Sequence, residues 1–275
     1  MQSALAAPSI HATVVLDRRE PGPGIVILGL EAPELVALVK PGHFLMAIPP
    51  AGVAAATALG IYEADGSRIS VMLIIVGSRT AELARLQPGD QLDVLAPLGN
   101  GFFLDDLPKR VAIVAGGVGL ASVLLAAKTC VERGARAELL YGARTKAALV
   151  DVELFEGVGA SVRCATDDGS RGYRGFVTDL LEQGKPPELI IACGPTPMLR
   201  ATAGKAEHLG VAAQLSLEET FGCGVGACWG CVVPIDRASP RAPSFPAADI
   251  HERREHANAR VCKEGPVFWA HELRW

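Results

Sequence analysis

The sequence is poor in aromatic side chains and has no excess of positive charge. Only 5% of its 275 residues are aromatic, and 26 Lys and Arg face 30 Asp and Glu, which gives a formal net charge of −4. Proteins that bind nucleic acids neutralise phosphates with a basic surface. We therefore expect no nucleic-acid partner.

The chain also lacks a hydrophobic run suited to a membrane. The stretch from Val111 to Ala127 is uncharged over 17 residues, but Gly116, Gly117 and Gly119 lie near its centre. A membrane-spanning helix needs about 20 apolar residues, so this stretch predicts a buried strand, a glycine turn and a helix. The N-terminus has no cationic start and no long apolar core, which predicts no secretory signal. We expect a cytoplasmic protein without a membrane contact.

Cysteine is present in an odd number, which argues against a disulfide scaffold. Four of the seven cysteines fall in the last 53 residues. A domain held together by disulfides is usually smaller, and its cysteines are spread more evenly along the chain. Reduced thiolates bound to a metal centre fit this distribution better.

Three segments follow one another along the chain, and together they predict a multi-domain α+β protein. Short apolar runs broken by Pro and Gly up to about residue 106 predict an antiparallel β-barrel or sandwich. Residues 107–213 alternate strands and helices, which predicts a parallel-sheet α/β domain. Residues 214–275 carry the cysteine cluster and contain an exposed insertion, 234–260, which we expect to be partly helical near 250–260.

The first segment predicts a small set of strands and one short helix. The strands are expected over 12–16, 24–30, 43–48, 70–76 and 91–95, and the helix over 82–86. In the second segment we expect strands over 111–115, 137–142, 160–166 and 188–193. Helices are expected from the glycine turn to about 132, over 177–182 and over 197–209.

The last four cysteines have the spacing C-x4-C-x2-C…C of plant-type 2Fe–2S ligation. They are Cys223, Cys228, Cys231 and Cys262. Glycines at 222, 224, 226 and 230 permit backbone N–H groups to turn toward cluster sulfurs. The alternatives are a zinc site, which usually has two C-x2-C pairs where this chain has one, and four buried, unliganded cysteines.

Three turns predict a nucleotide site at one edge of the parallel sheet. Gly116, Gly117 and Gly119 separate an apolar strand from a helix, where a backbone cradle can hold a pyrophosphate. Cys193, Gly194 and Pro195 end another predicted strand, so they should lie at the same carboxyl edge. Residues 167–170 follow the end of a third predicted strand and should reach the same edge. The alternative is three ordinary loops, and the match of the glycine turn to G-x-G-x-x-G is incomplete.

A further turn at the exit of the barrel contains Gly99, Asn100 and Gly101. It either covers a flavin or only turns a corner. The sequence shows no Ser/His/Asp set and no metal-spaced His pair, so hydrolysis is not indicated, and we assign no catalytic residue.

With these residues in place, the chain resembles the electron-transfer subunits of type B dihydroorotate dehydrogenases, which belong to the ferredoxin reductase-like group. The resemblance covers nearly the whole chain. It is carried by residues 96–102, 115–119, 166–170, 175–181, 193–198 and 261–268.

The resemblance implies an FAD-binding barrel over 1–106, an NAD-binding domain over 107–213 and a 2Fe–2S segment over 214–275. It also implies a partner, an FMN-containing catalytic subunit, in a heterotetramer of two plus two. Electrons from dihydroorotate would then pass from FMN through the cluster and FAD to NAD, as a step of pyrimidine biosynthesis. The chain would be a subunit of an oxidoreductase complex and not a stand-alone enzyme.

One region departs from the family. The family motif Arg-Pro-x-Ser falls on Ala58, Leu59, Gly60 and Ile61, a Tyr-Arg pair falls on Leu73 and Ile74, and a Gly-Thr pair on Arg79 and Thr80. FAD is then bound weakly, it is bound through other groups such as Arg79 and Thr80, or it is not bound. Two alternatives therefore remain: another NAD(P)H-linked iron–sulfur reductase subunit, and a cluster-bearing adaptor without FAD.

The sequence does not distinguish NAD from NADP. Arg171 and Arg174 favour a phosphate, and Asp167 and Asp168 oppose one.

Overall fold

The structure is a computed structural model that describes residues 7–49, 56–242 and 256–275. Within them the strands form a closed barrel, a seven-stranded sheet and a two-stranded ribbon. No helix in this part of the chain has the length and apolar character needed to cross a membrane.

The N-terminal segment forms a closed antiparallel barrel, as predicted. Its strands are β1 (Ser9–Gly22), β2 (Ile25–Glu31), β3 (Phe44–Ile48), β4 (Thr57–Asp65), β5 (Arg68–Ile74) and β6 (Gln91–Leu98), in the order β1-β2-β5-β4-β3-β6. Two short helices, α1 (Pro33–Val36) and α2 (Ser78–Leu83), connect them. Strand β4 is not predicted, because Ala and Gly interrupt its apolar pattern, and α2 lies earlier than the helix expected over 82–86.

Strand β2 shows how the barrel meets the rest of the molecule. Side chains alternate between the two faces of a strand. Val26 and Leu28 pack inside the barrel, whereas Ile25 and Ile27 pack into the core of the α/β part. Both faces are therefore buried, and the strand reads as a continuous apolar run.

The second segment forms the predicted parallel sheet. Its strands are β7 (Arg110–Gly116), β8 (Arg136–Ala143), β9 (Ser161–Thr166), β10 (Tyr173–Arg174), β11 (Leu189–Cys193) and β12 (Ala212–Ser216), and its helices are α3 (Leu124–Glu132), α4 (Val152–Gly157) and α5 (Thr196–Leu209). The sheet order of these strands is β10-β9-β8-β7-β11-β12. The helix expected over 177–182 is a 3-10 helix.

The C-terminal segment contributes β13 (Val232–Asp236), β14 (His256–Arg260) and β15 (Val267–Trp269). Strands β13 and β14 pair with each other, and β15 joins the large sheet antiparallel to β12. The helix expected near 250–260 is therefore wrong for residues 256–260, which pair as a strand, and residues 250–255 lie outside the described ranges.

A buried carboxylate joins the barrel to the α/β part. Asp151, the residue before α4, accepts two hydrogen bonds from the Arg19 guanidinium at 2.6 Å and one from the Tyr62 hydroxyl at 2.8 Å. Its side chain is only 9% exposed. Asp151 also has a φ of 54°, a left-handed conformation that Asp and Asn tolerate better than most residues.

We expect Asp151→Asn to lower the free energy of unfolding by about 1.5–3 kcal/mol, because a charged acceptor of three hydrogen bonds is lost while the backbone preference is kept. Urea denaturation of the purified chain measures this. The control is Asp105→Asn, since Asp105 is 98% exposed and its ion pair with Arg133 is long. Equal stabilities of D151N and D105N would contradict the assignment.

Candidate functional site

A cavity of about 590 Å³ lies between the barrel and the α/β part. Its walls come from strand β4, from the end of β5 with helix α2, from the turn after β7, and from residues 216–221. This volume falls in the range of cofactor and ligand sites. Each wall belongs to a different part of the chain, so the cavity forms only when both parts are folded and docked.

The glycine turn and the Cys193 turn lie side by side, as their strands predict. Strands β7 and β11 are parallel neighbours with Ala115 opposite Cys193. A Cβ added at Gly194 would lie 3.0 Å from the Gly116 nitrogen, and one at Gly119 would overlap the Cys193 carbonyl group. Since β8 lies on the other side of β7, these turns sit where the sheet order reverses, the usual ligand position in an open α/β sheet.

Cys193 belongs to a small polar group beside this position. Its thiol donates to the Glu218 carboxylate with Sγ and Oε1 3.6 Å apart. Burial, and then the charge of Glu218, raise the pKa of Cys193, although the hydroxyls of Ser122 and Ser216 hydrogen bond to the sulfur. Cys193 is therefore a neutral thiol.

Glu218 lies at the mouth of the cavity, where its side chain keeps contact with solvent. The surrounding walls raise the pKa of its carboxyl, and the Cys193 hydrogen bond opposes that rise. Sequence reasoning misses Glu218, Ser122 and Ser216, because no motif spacing links them. The only signal is their place at the carboxyl edge of the sheet: Ser122 lies in the turn after β7, Ser216 ends β12 and Glu218 follows it.

Arg79 and Thr80 lie in the wall of the cavity, in helix α2. The Thr80 hydroxyl accepts hydrogen bonds from the N–H groups of Val76 at 3.0 Å and Gly77 at 3.3 Å, so it holds its own turn. Arg79 is exposed. Its guanidinium makes no hydrogen bond or ion pair with the described residues.

Gly99, Asn100 and Gly101 lie elsewhere and do not line the cavity. The Asn100 side chain donates to the carbonyls of Glu264 at 3.2 Å and Val267 at 2.8 Å, and it accepts from the Val267 N–H at 3.1 Å. These contacts fix the segment after Cys262 against the end of the barrel. They give the turn a structural role, and its assignment to a cofactor stays a prediction.

The four C-terminal cysteines interact in two pairs. Cys223 hydrogen bonds with Cys228, and Cys262 with Cys231. Backbone N–H groups point at the sulfurs: Ala227 at 3.2 Å and Cys228 at 3.4 Å from the Cys223 Sγ, and Cys262 at 3.4 Å from the Cys231 Sγ. Backbone N–H groups thus donate hydrogen bonds to the Cys223 and Cys231 sulfurs.

Glycines make room around these sulfurs. A Cβ at Gly222 would lie 3.2 Å from the Cys228 sulfur, and one at Gly230 would lie 3.6 Å from it. Gly224 has a φ of 72°, and the loop there rests on Met46 of the barrel. The non-glycine Trp229 also has a positive φ, 58°, and its ring is covered by the Arg260 guanidinium at 4.6 Å.

The two pairs differ in electrostatic environment. Partial burial opposes the charge of Cys223, but hydrogen bonds from the N–H groups of Cys228, Val225 and Ala227 and from the Cys228 thiol prevail and lower its pKa to about 6. Burial, followed by interactions with Cys231, raises the pKa of Cys262 to about 12. Cys262 is only 3% exposed.

In residues 7–49, 56–242 and 256–275, no group of three or more His, Cys, Asp and Glu side chains is arranged to hold a metal ion. The donor set itself is four thiols in two pairs with amides directed at the sulfur. That chemistry fits a 2Fe–2S cluster, which four cysteines hold across two irons.

Comparison with solved structures identifies the class. The chain matches an NADH-dependent reduced ferredoxin-NADP oxidoreductase with a TM-score of 0.80 at 24% identity, over 96% of this chain and 90% of that one. It matches the ferredoxin reductase of carbazole 1,9a-dioxygenase with a TM-score of 0.64 at 22% identity, over 74% and 67% of the two chains. The barrel, the parallel sheet and the cavity between them define a ferredoxin reductase-like fold.

Sequence comparison gives the family, although no family model matches. The chain is 42% identical to a protein of Bacillus caldolyticus, over 72% of this chain and 70% of that protein. It is 34% identical to one of Caldanaerobacter subterraneus, over 85% and 86%, and 33% identical to one of Listeria monocytogenes, over 88% and 90%. All three are named dihydroorotate dehydrogenase B (NAD(+)) electron transfer subunits. The chain belongs to this family.

The opposite pKa shifts predict unequal thiol reactivity in chain prepared without iron. Because the thiolate is the reactive form, iodoacetamide should label Cys223 at a rate that levels off above about pH 7, given a pKa of about 6. Cys262 and the buried Cys193 should stay protected over this range. Mass spectrometry after timed labelling measures each site, and a Cys223 rate still rising steeply above pH 8 would contradict the prediction.

Proposed function

We propose that this chain is the electron-transfer subunit of a dihydroorotate dehydrogenase, passing electrons from the FMN of a catalytic subunit through a 2Fe–2S cluster and FAD to NAD in pyrimidine biosynthesis. The names of its relatives and the cysteine chemistry support this proposal. We also propose a cytoplasmic location and an assembly of two such chains with two catalytic subunits.

One observation carries the proposal. Residues 216–221 form a wall of the cavity, and Cys223 follows two residues later. The ring of Phe221, in that wall, packs on Phe44 of the barrel with centroids 4.9 Å apart. A group in the cavity and a group held by the cysteines are therefore neighbours along one short segment, which is what electron transfer between two centres needs.

The proposed roles follow the site. Cys223, Cys228, Cys231 and Cys262 hold the cluster. Arg79 contacts the flavin from the turn that Thr80 holds. The two turns with Gly116, Gly117, Gly119, Cys193, Gly194 and Pro195 receive NAD. When bound, the cluster relays single electrons and the flavin converts two of them into a hydride. The corresponding domains are 1–106, 107–213 and 214–275.

At the edge of the sheet the carboxylate of Asp168 favours NAD over NADP, whereas Arg174, whose side chain packs beside Gly169, favours a phosphate. Asp168 follows β9, and its carboxylate accepts hydrogen bonds from the Ser170 N–H at 2.9 Å and hydroxyl at 2.6 Å. These bonds lower the pKa of Asp168, so the group is ionised at neutral pH. A fixed negative charge at this edge disfavours the 2′-phosphate of NADP.

The charges in the cavity wall favour a second function, that of an adaptor without FAD. Arg79 is the one cation among the described residues that line the cavity, and two carboxylates, Glu218 and Glu219, line it too. This balance disfavours a bound diphosphate. A chain that does not retain FAD would act as a cluster-bearing adaptor for its partner. Flavin quantification on the purified chain separates the two functions.

We expect the purified chain to contain iron and sulfide in cluster proportion and to show the visible absorption of a 2Fe–2S centre. Cys262→Ser should lose most of both, because one of four thiolate ligands is replaced by a hydroxyl. Cys164→Ser is the matched control, since Cys164 lies in β9, away from the set. Zinc in place of iron, or equal iron in C262S and C164S, would refute the cluster assignment.

The complete route requires the partner. Dihydroorotate-dependent NADH formation should appear only when this chain is combined with an FMN-containing catalytic subunit, and C262S should abolish it. NADH formation by the catalytic subunit alone at the same rate would refute the proposed role.

A further inference from the structure

The polar groups of the cavity are distributed unevenly, and this determines where a phosphate can lie. The α/β side contributes Glu218, whose carboxylate contacts Cys193 of β11, and the neighbouring Glu219. The barrel side contributes the guanidinium of Arg79 from α2. No other Lys, Arg or His is among the described lining residues.

A second polar atom on the barrel side lacks a partner. The Thr57 hydroxyl is buried, and in the described part of the chain nothing hydrogen bonds to it. Thr57 also lines the cavity. A buried hydroxyl without a partner costs free energy, and a ligand oxygen in the cavity would remove that cost.

The strand pairing brings Thr57 and Arg79 to the same end of the barrel. Strands β4 and β5 are antiparallel, with Ile61 opposite Val71. Thr57 begins β4, and α2 follows directly after the end of β5. The start of one strand and the end of its antiparallel neighbour lie together.

The turn that carries Arg79 is held in place by its neighbour. The Thr80 hydroxyl accepts from the N–H groups of Val76 and Gly77, as described, and donates to the Gly77 carbonyl at 3.1 Å. Thr80 therefore acts as a positioning residue, and Arg79 is left to meet a ligand.

We propose that Arg79 and Thr57 form the phosphate subsite of this cavity and hold the diphosphate of FAD, with the flavin ring toward Cys193 and Glu218. The inference rests on the proposed function and deepens it. A guanidinium pairs with phosphate oxygens through two parallel N–H donors, among the stronger polar contacts in proteins. Ala58, which also lines the cavity, supplies no such donor, so the cation comes from α2 instead of β4.

The test uses the full chain with its cluster loaded and its flavin removed, titrated with FAD and with riboflavin while flavin fluorescence is recorded. Riboflavin has the same ring and no phosphate. Arg79→Gln should weaken FAD binding by about 10- to 100-fold, the range for loss of a charged hydrogen bond. Riboflavin binding should change less than about twofold, because only the phosphate contact is removed.

Two further variants add a rescue and an independent residue. Ala58→Arg, placed in the Arg79→Gln chain, should restore most of the FAD affinity by supplying a guanidinium from β4. Thr57→Val should weaken FAD binding severalfold without lowering the melting temperature of the flavin-free chain, since it removes an unsatisfied hydroxyl. Arg85→Gln is the control, because Arg85 is exposed and does not line the cavity.

Unchanged FAD affinity in R79Q, or an equal loss for FAD and riboflavin, would overturn the subsite. So would a cluster-loaded wild-type chain that binds no FAD. Cluster content and partner-dependent electron transfer are measured separately on the same preparations. If FAD binding gives one of these results while the cluster and partner-dependent electron transfer are present, only the subsite is refuted. If the cluster is missing, the proposed function is refuted.

Discussion

Asp151 accepts hydrogen bonds from two strands of the barrel while it precedes a helix of the α/β part, and the geometry of the cavity depends on this contact. One wall of the cavity is strand β4, which also carries Tyr62. The facing wall is the turn after β7, whose Ser122 hydroxyl would lie 2.7 Å from a Cβ at Gly60. Walls this close cannot shift against each other without opening or filling the cavity. The carboxylate thus helps to fix the distance between the two walls of the cavity.

The cysteine loop, residues 222–231, is likewise fixed by contacts with other parts of the chain, on three sides. Met46 of the barrel packs under Gly224, Lys263 packs against Gly226, and Arg260 covers Trp229. The loop has no regular secondary structure, so these contacts, not a helix or strand, determine where the sulfurs lie. A rigid thiolate set reduces the reorganisation that accompanies each change of charge, which suits a relay of single electrons.

Much of this could be predicted from the sequence, for identifiable reasons. The cysteine spacing, the apolar strand before Gly116 and the Cys193 turn are local patterns, and the parallel sheet places the two turns together. Strand β4 and the residues Thr57, Ser122 and Glu218 could not be found this way. These residues come together only because the barrel packs on the sheet, and no local spacing in the sequence predicts that contact. Asn100 shows a further limit, because nothing in the spacing of its glycine-flanked turn predicts the hydrogen bonds that it makes with the backbone of Glu264 and Val267.

Strands β13 and β14 have a consequence for how the chain varies. They pair from Val232 with Arg260 to Asp236 with His256. Cys231 directly precedes the first pair, and Cys262 follows it by two residues. The two-stranded ribbon of β13 and β14 thus determines the distance between the Cys231 and Cys262 sulfurs. Loop closure depends only weakly on length, so the number of residues between 242 and 256 can change over evolution while the sulfurs keep their spacing.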